Sequence, residues 1–208
     1  MQGREQRFTR NRMKQGLLHI ADGQTIGLLG GSFDPPHLGH VHITKQALKR
    51  FRLDRVWWLV SPGNPLKADA PASLERRMAA CRVIMQNPRV EISDIEARLG
   101  TRYTADTLRE LQRLYPRVKF TWLMGADNLA GFHKWQEWQW IAQNVRIGVM
   151  ARPGEQLRAG LSPMVRQFAR YRVPAGALAR HEAPAWALIS GPMRDISSTD
   201  IRHRGEWV

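Results

Sequence analysis

The sequence predicts an α/β fold in which helices cover both faces of a doubly wound parallel sheet. Short apolar segments alternate with segments of helical spacing along most of the chain. Its 208 residues suit one domain. A segment rich in glycine and histidine, GGSFDPPHLGH, stands where the first apolar segment meets the first helical one. Since ligands of such sheets bind at the carboxyl ends of the strands, we expect the functional site at this junction.

The first half of the chain contains three predicted strands and two predicted helices. A strand over 25–30 (TIGLLG) leads to a helix over 37–51, whose apolar residues recur near helical spacing. A second strand over 55–60 (RVWWLV) precedes a loop rich in proline and glycine, a helix over 73–85 and an alternating strand over 90–95. This order is typical of β/α units that pair in parallel.

The second half continues the alternation. We predict a helix over 104–115 capped by Thr104, a strand over 118–124, a helix over 127–143, a strand over 145–150, a helix that begins at Ser162 and Pro163, and a last strand over 186–189. Together these elements predict a Rossmann-like sheet in a single domain over 25–208.

Composition narrows the class of protein. The net charge of +14 favours a polyanionic partner, which can be a nucleic acid or a small nucleotide. The apolar runs are too short to cross a membrane, the N-terminal residues lack the apolar core of a signal peptide, and Cys81 is the only cysteine. We therefore expect a cytoplasmic protein without a membrane partner. Residues 1–24 form a basic extension that we predict to be disordered.

The junction segment has the composition of a phosphate site. Gly30 and Gly31 end the first strand, where small residues let phosphates approach the backbone and the amides of the following helix. His37 and His40 are three residues apart in the first helical turn, so both rings project from one face, with Gly39 between them leaving room for a ligand. Bound polyphosphate favours charged imidazolium donors. The pair therefore suits a phosphoryl group that gains negative charge during a reaction.

Other interpretations of the histidines and glycines are weaker. Two histidines can bind zinc, but one cysteine and the absence of an HExxH pattern leave no obvious further ligands, so we predict no resident metal. The P-loop pattern GxxxxGK[ST] and the dinucleotide fingerprint GxGxxG are both absent from the chain.

Two signatures resemble the nucleotidyltransferase superfamily, and within it the nicotinate-nucleotide adenylyltransferases. They are GGSFDPPHLGH with its HxGH core and ISSTDIR near the C-terminus, and PGNPLK, TRYTADTL, MGADNL, HKWQEW and ARPG also resemble that family. The resemblance implies adenylyl transfer from ATP to nicotinate mononucleotide, which yields nicotinate adenine dinucleotide and pyrophosphate in NAD biosynthesis. It also implies Mg²⁺ carried with ATP.

The resemblance implies a role for each matching residue. The expected catalytic residues are His37, His40 and Arg202. The expected contacts to ATP and phosphate are Gly30, Gly31, Ser32, Phe33, Lys67, Gly125, Asp127, Ile196, Ser197 and Ser198. The expected contacts to the pyridine nucleotide are Tyr103, Thr104, Trp135 and Arg152.

Several of these residues have a competing structural interpretation. Phe33 can be a packing residue, Asp127 can be a helix cap, and Lys67 and Arg152 can be solvated surface cations. Trp135 and Trp138 are predicted on one helix face, with one in the core and one in the site. Asp34 is expected in a turn rather than as a base, because the attacking phosphate is already an anion.

Alternative functions remain open at this point. Nicotinamide mononucleotide or phosphopantetheine can replace the acceptor, although the aromatic site around Trp135 and the chain length disfavour the second. A basic nucleic-acid-binding module is the alternative that is not an enzyme, and its main support is the N-terminal extension, so we expect no nucleic-acid partner. The sequence leaves the existence of a homo-oligomer open.

Overall fold

A computed structural model describes residues 20–63, 71–151, 161–191 and 196–207. Six parallel strands form one sheet in the order β3-β2-β1-β4-β5-β6. The strands are β1 (Thr25–Gly31), β2 (Arg55–Val60), β3 (Val90–Ser93), β4 (Lys119–Gly125), β5 (Arg146–Ala151) and β6 (Trp186–Ser190). The predicted doubly wound, Rossmann-like fold is confirmed. The strand order reverses between β1 and β4, and this is where such sheets open a crevice for ligands.

Helices connect the strands and cover the sheet. They are α1 (Leu38–Arg50), α2 (Leu74–Ile84), α3 (Ile95–Leu99), α4 (Thr104–Leu114), α5 (Ala126–Gly131), α6 (Trp138–Asn144), α7 (Pro163–Gln167) and α8 (Ser198–His203). Single 3₁₀ turns cover Phe132–Lys134, Ala169–Tyr171 and Ala175–Arg180. Among the described residues, no helix is long and apolar enough to span a membrane.

Two hydrophobic clusters cover the two faces of the sheet. Successive side chains of a strand point to opposite faces, so Leu28 and Trp57 enter one cluster while Leu29 and Trp58 enter the other. All four side chains are 5% exposed or less. The sheet is therefore buried on both sides, as parallel sheets require, and it holds the strand ends in fixed positions.

Three predicted boundaries are wrong. The helix predicted over 127–143 is broken into α5, a 3₁₀ turn and α6, with Glu137 in the left-handed region at φ +52°. The strand predicted over 90–95 ends at Ser93, whose hydroxyl accepts a hydrogen bond from the Ile95 amide at 3.2 Å and starts α3. Tyr103, rather than Thr104, is the residue that precedes α4.

Three sequence predictions concern residues outside the described ranges. They are residues 1–19 of the basic extension, Lys67 and Arg152. The proposed boundary between residues 24 and 25 therefore stays a prediction.

Candidate active site

Two adjoining cavities open at the carboxyl ends of β1 and β4. The small cavity has a volume of about 130 Å³ and is lined by His37, His40, Gly125, Asp127 and Ile196, among others. The large cavity has a volume of about 500 Å³ and is lined by Gly31, Ser32, Glu96, Tyr103 and Thr104, among others. Gly30, Trp122, Asn128 and Trp135 line both. Several residues predicted to bind phosphate therefore line the same two cavities as Tyr103, Thr104 and Trp135, whereas Phe33, Ser197 and Ser198 line neither.

The two histidines cap the helix that follows β1. The Nδ1 atom of His37 accepts a hydrogen bond from the Gly39 amide at 3.1 Å, and the Nδ1 atom of His40 accepts one from the His37 amide at 3.1 Å. The ring centroids are 3.9 Å apart. An Nδ1 atom that accepts is unprotonated, so the proton of each neutral ring is on Nε2. The pair therefore has two Nε2–H donors that the capping bonds do not use.

Electrostatics keep both rings neutral in this structure. Burial lowers the pKa of His37. Burial, and then the charge of His37, lower the pKa of His40 to about 3. Protonation at Nδ1 would also break the capping hydrogen bonds. The rings are therefore neutral Nε2–H donors here, and the expectation that bound polyphosphate favours charged donors stays a prediction.

The glycines of the motif make room for protein rings. A Cβ atom on Gly39 would lie 2.8 Å from His37 Nδ1, and one on Gly30 would lie 2.4 Å from Cη2 of Trp122. Neither distance is possible for a real side chain, so both glycines are required by packing within the site. The space that the sequence assigned to a ligand is occupied here by the His37 imidazole and the Trp122 indole.

The loop after β1 is fixed by packing and hydrogen bonds. Phe33 is 1% exposed, has φ +49° and stacks on Trp58 with a centroid distance of 4.8 Å. The carboxylate of Asp34 accepts hydrogen bonds from the Ala72 amide at 3.3 Å and from Trp207 Nε1 at 2.7 Å. The side chain of Phe33 is therefore a packing residue, and Asp34 organises the loop, as its expected turn role suggests.

The C-terminal helix docks on the same loop. The Ser198 hydroxyl donates to the Pro35 carbonyl at 2.8 Å, and Arg202 donates to the Asp34 carbonyl. The Ser197 hydroxyl donates to the Asp200 carboxylate at 2.6 Å. Both serine hydroxyls are thus engaged within the protein. Arg202 does not line either cavity, whereas Ile196 lines the small one.

A buried arginine that the sequence analysis missed ties the loops of the site together. Arg77 of α2 is 1% exposed, and its guanidinium donates to the carbonyls of Ser32 and Ser61 at 2.7 Å each. It also donates to the carbonyls of Ala72 at 2.7 Å and Pro62 at 3.4 Å. These bonds join the loop after β1 to the loop after β2. In the sequence, Arg77 lies on the apolar face of α2. A charged residue at such a position indicates a buried arginine with specific acceptors, and this was the one feature that could have identified it.

Asp127 is a cavity residue and does not cap its helix. Gly125 is the residue that precedes α5, and no side chain caps that helix end. A Cβ atom on Gly125 would lie 2.5 Å from Oδ1 of Asp127, so the missing side chain leaves room for this carboxylate. Asp127 lines the small cavity together with the histidines.

Trp135 forms a wall of both cavities. Its ring meets Trp122 edge-on at a centroid distance of 6.0 Å and Phe132 at 5.3 Å. Trp138 instead packs against Phe132 at 6.0 Å and Phe168 at 6.3 Å. The two indoles therefore do not share a helix face, because the chain is broken between them. The indole of Trp122 is 2% exposed, and sequence analysis did not find its place in the site.

Comparisons with known proteins agree with this geometry. A family model described as cytidylyltransferase-like matches residues 28–204. A "Probable nicotinate-nucleotide adenylyltransferase" of Ruegeria pomeroyi is 59% identical, over 94% of this chain and 93% of that protein. One of the same name from Cereibacter sphaeroides is 62% identical, over 88% and 98%. The chain belongs to the nicotinate-nucleotide adenylyltransferases of the cytidylyltransferase-like family. The resemblance stated from the motifs is confirmed.

Solved structures support the fold of this adenylyltransferase family member. The Plasmodium falciparum nicotinic acid mononucleotide adenylyltransferase complexed with NaAD has a TM-score of 0.66 and 17% identity. The match covers 86% of this chain and 83% of that chain. At this identity the likeness concerns the fold alone.

Further residues of the large cavity are Glu96, which lies outside the family signatures, and Arg102, Asn128 and Lys134, which lie within segments that resemble the family. The short helix α3 and the turn at Gly100, whose φ is +65°, place Glu96 beside Tyr103 and Thr104. Asn128 is on α5, and Lys134 is on the 3₁₀ turn just before Trp135. Within the described ranges, no three His, Cys, Asp or Glu residues are grouped as a metal site would require.

Proposed function

We propose that this protein transfers the adenylyl group of ATP to nicotinate mononucleotide and releases pyrophosphate. The observation that carries the proposal is the position of the two Nε2–H donors, His37 and His40, in a small cavity that adjoins a larger one walled by Trp135. A phosphate site and an aromatic site in contact are what a nucleotide-joining enzyme requires.

The reaction is a direct displacement at the α-phosphorus of ATP. A bond forms between this phosphorus and an oxygen of the acceptor's 5′-phosphate, and the bond to the pyrophosphate oxygen breaks. The attacking oxygen is already anionic, so no general base is needed. Catalysis then depends on positioning and on donors that stabilise the charge of the departing pyrophosphate.

His37 and His40 are the donors that we assign to this charge. Because capping bonds hold both Nδ1 atoms, the rings are oriented before substrate binds, and no reorganisation is needed during the reaction. Arg202, held against the Asp34 carbonyl, adds a fixed positive charge beside the loop that carries His37.

The remaining contacts divide between the two substrates. For ATP we propose the backbone of Gly30, Gly31, Ser32 and Phe33, the Asp127 carboxylate at the ribose, the amides at Ile196, Ser197 and Ser198, and Lys67. For the pyridine nucleotide we propose Tyr103, Thr104, Arg152 and stacking on Trp135. Lys67 and Arg152 rest on the family resemblance only.

Mg²⁺ is proposed to arrive with the ATP phosphates. Among the described residues, Asp127 is the one carboxylate that lines the small cavity. This fits an ion that keeps its waters and phosphate ligands better than it fits a cage of protein ligands. We also propose a cytoplasmic location, where both nucleotides are available.

An assay of pyrophosphate release with ATP and each candidate acceptor tests the proposed function. We expect the highest kcat/KM with nicotinate mononucleotide and a much lower value with nicotinamide mononucleotide. Equal values for the two would contradict the acid preference. Release with phosphopantetheine alone, or with no acceptor at all, would contradict the proposed reaction.

A further inference from the structure

Glu96 is a carboxylate in the large cavity that the reaction described above does not use. It lies in the first turn of α3, is half-buried, and lines the cavity with Tyr103 and Thr104. Its neighbours Asp94 and Arg98 pair with each other at 2.7 Å. Within residues 20–63, 71–151, 161–191 and 196–207, no side chain forms a hydrogen bond or ion pair with the Glu96 carboxyl group.

A partly buried carboxylate without a hydrogen-bond partner is unfavourable in its charged form unless a ligand binds to it. Withdrawing a carboxylate from water without a hydrogen-bond partner disfavours its charged form, and burial accordingly raises the pKa of Glu96 to about 7. The cavity also receives Arg102 and Lys134, both exposed at its rim and neither paired with Glu96 in the described ranges. The carboxyl group therefore has free acceptor capacity on a wall that we assign to substrate.

The chemistry of the acceptor decides what Glu96 can bind. A carboxylate repels the phosphates of both nucleotides and the carboxylate of nicotinate. Two parts of nicotinate mononucleotide attract it, namely the cationic pyridinium ring and the ribose hydroxyls. Glu96 shares its cavity with Tyr103, Thr104 and Trp135, whereas the histidines line only the small cavity. Its position therefore matches the pyridine nucleoside rather than the triphosphate.

We propose that Glu96 is an acceptor-specific binding residue whose carboxylate accepts hydrogen bonds from the ribose hydroxyls of the pyridine nucleotide, beside the pyridinium ring. The proposal rests on the proposed function, since it assumes that the large cavity holds the acceptor. It differs from that function in assigning a role to a residue outside the family signatures.

A pH dependence follows from this role. Acceptor binding requires the charged carboxylate, so affinity for the acceptor decreases as pH falls below the pKa of Glu96, about 7. Among the described residues, the charged or titratable groups around Glu96 are Asp94, which precedes α3, Arg98 on α3, Arg102 and Tyr103 in the turn that follows, and Lys134 across the cavity. The acceptor's own phosphate also titrates near about pH 6, so only the difference from a variant is informative.

The test compares wild type, Glu96→Gln and the control Asp94→Asn in steady-state assays between about pH 5.5 and pH 8.5. At high pH we expect Glu96→Gln to raise KM for nicotinate mononucleotide about tenfold and KM for ATP less than about twofold. The pH-dependent rise of kcat/KM for the acceptor should be reduced in this variant alone. Asp94→Asn, which changes a neighbouring carboxylate already paired with Arg98, should behave like wild type.

An acceptor that lacks a ribose hydroxyl identifies the contact. Wild type should bind the 2′- or 3′-deoxy acceptor more weakly than nicotinate mononucleotide. Glu96→Gln, which has already lost the contact, should bind the two acceptors with nearly equal affinity. An equal loss in both proteins, or an equal rise of both KM values in Glu96→Gln, would overturn the proposal. If thermal melting shows that Glu96→Gln is unfolded, Glu96→Met is measured by the same criteria. Absence of transfer by wild type would instead contradict the proposed function.

Discussion

Cavities open at both ends of the sheet, and the one at the amino ends of the strands is larger than either cavity of the candidate site. The cavity at the amino ends of the strands has a volume of about 730 Å³ and contains Arg117, Lys119 and Arg146. Arg117 pairs with Asp22 at 3.1 Å, and Lys119 pairs with Glu182. At the carboxyl end, the histidine Nε2–H donors and Glu96 retain free hydrogen-bonding capacity. In this protein, free polar groups therefore distinguish the candidate site better than cavity volume or positive charge.

The two ends of the sheet can also be compared through two buried arginines, one at each end. Arg146 is 3% exposed and donates to the carbonyls of Phe120, Ala179 and His181, which lie at the amino end of the sheet or in the chain that covers it. Arg77 is 1% exposed, and its acceptors among the described residues are carbonyls of the loops around the site. Both satisfy backbone acceptors, but only the loops held by Arg77 contact the large cavity.

The largest effect is expected from a change of a free donor in the site. His40→Ala should lower turnover by about 10²–10³-fold while changing KM for ATP much less, as when one preorganised donor to a developing charge is removed. Measurement of kcat and both KM values checks this. His42→Ala is the control, because His42 lies outside both cavities. Near-normal turnover of His40→Ala, or equal damage in a folded His42→Ala, would contradict the role of the histidines.

Substitution of Arg77 and of Arg146 tests whether only the carboxyl end of the sheet serves the reaction. Arg77→Met and Arg146→Met should each lower the free energy of unfolding by about 2–3 kcal/mol, because buried carbonyls lose their donor. Below the melting temperature, only Arg77→Met should also lower kcat/KM for ATP, by about tenfold, since the Ser32 loop is released. Arg77→Lys should restore part of the activity. Equal kinetics in the two methionine variants would show that Arg77 is only structural.

Substitution of Trp135 and of Trp138 distinguishes a residue of the cavity wall from a residue of the core. Trp135→Ala should raise KM for the pyridine nucleotide about fivefold with little change for ATP, since one stacking contact is worth about 1 kcal/mol. Trp138→Ala, which removes contacts to Phe132 and Phe168, should lower the melting temperature and leave both KM values nearly unchanged. If Trp135→Ala changes both KM values equally, the ring belongs to the core.

The last prediction concerns the pH dependence of stability rather than activity. The pKa of His40 falls from an ordinary value of 6.5 to about 3 in the folded chain. Between these values the unfolded chain binds more protons, so this residue makes the protein less stable as pH decreases, by at most about 1.4 kcal/mol per pH unit. In chemical denaturation across this pH range, the free energy of unfolding should decrease less steeply with falling pH for His40→Asn than for wild type. An identical pH dependence would show that His40 is not a buried neutral ring.

Much of the fold was predictable from local pattern. The strands β1, β2, β4 and β5 are continuous apolar segments, and burial on both faces of a parallel sheet produces that pattern. The glycines and histidines of 30–40 also marked the junction where the cavities open. The break between α5 and α6 was not predictable, because the apolar spacing continues through Trp135 and Trp138 although Glu137 turns the chain.

Residues brought to the site by distant contacts were the least predictable. Glu96 lines the cavity only because the turn at Gly100 returns the chain to Tyr103. Arg77 reaches Ser32 across 45 residues of sequence. Trp207 reaches Asp34 across 173 residues. Local propensity contains no information on such pairs, whereas the cap formed by His37 and His40 is local and was found.

A crystal structure with a non-hydrolysable ATP analogue and nicotinate mononucleotide tests the central claim most directly, because both ends of the sheet offer cations and volume. We expect the triphosphate in the small cavity, with phosphate oxygens in hydrogen-bond distance of the Nε2 atoms of His37 and His40. The pyridine ring should lie on Trp135. Nucleotide bound instead between Arg117 and Lys119 at the amino end, or phosphates out of reach of both histidines, would contradict the account.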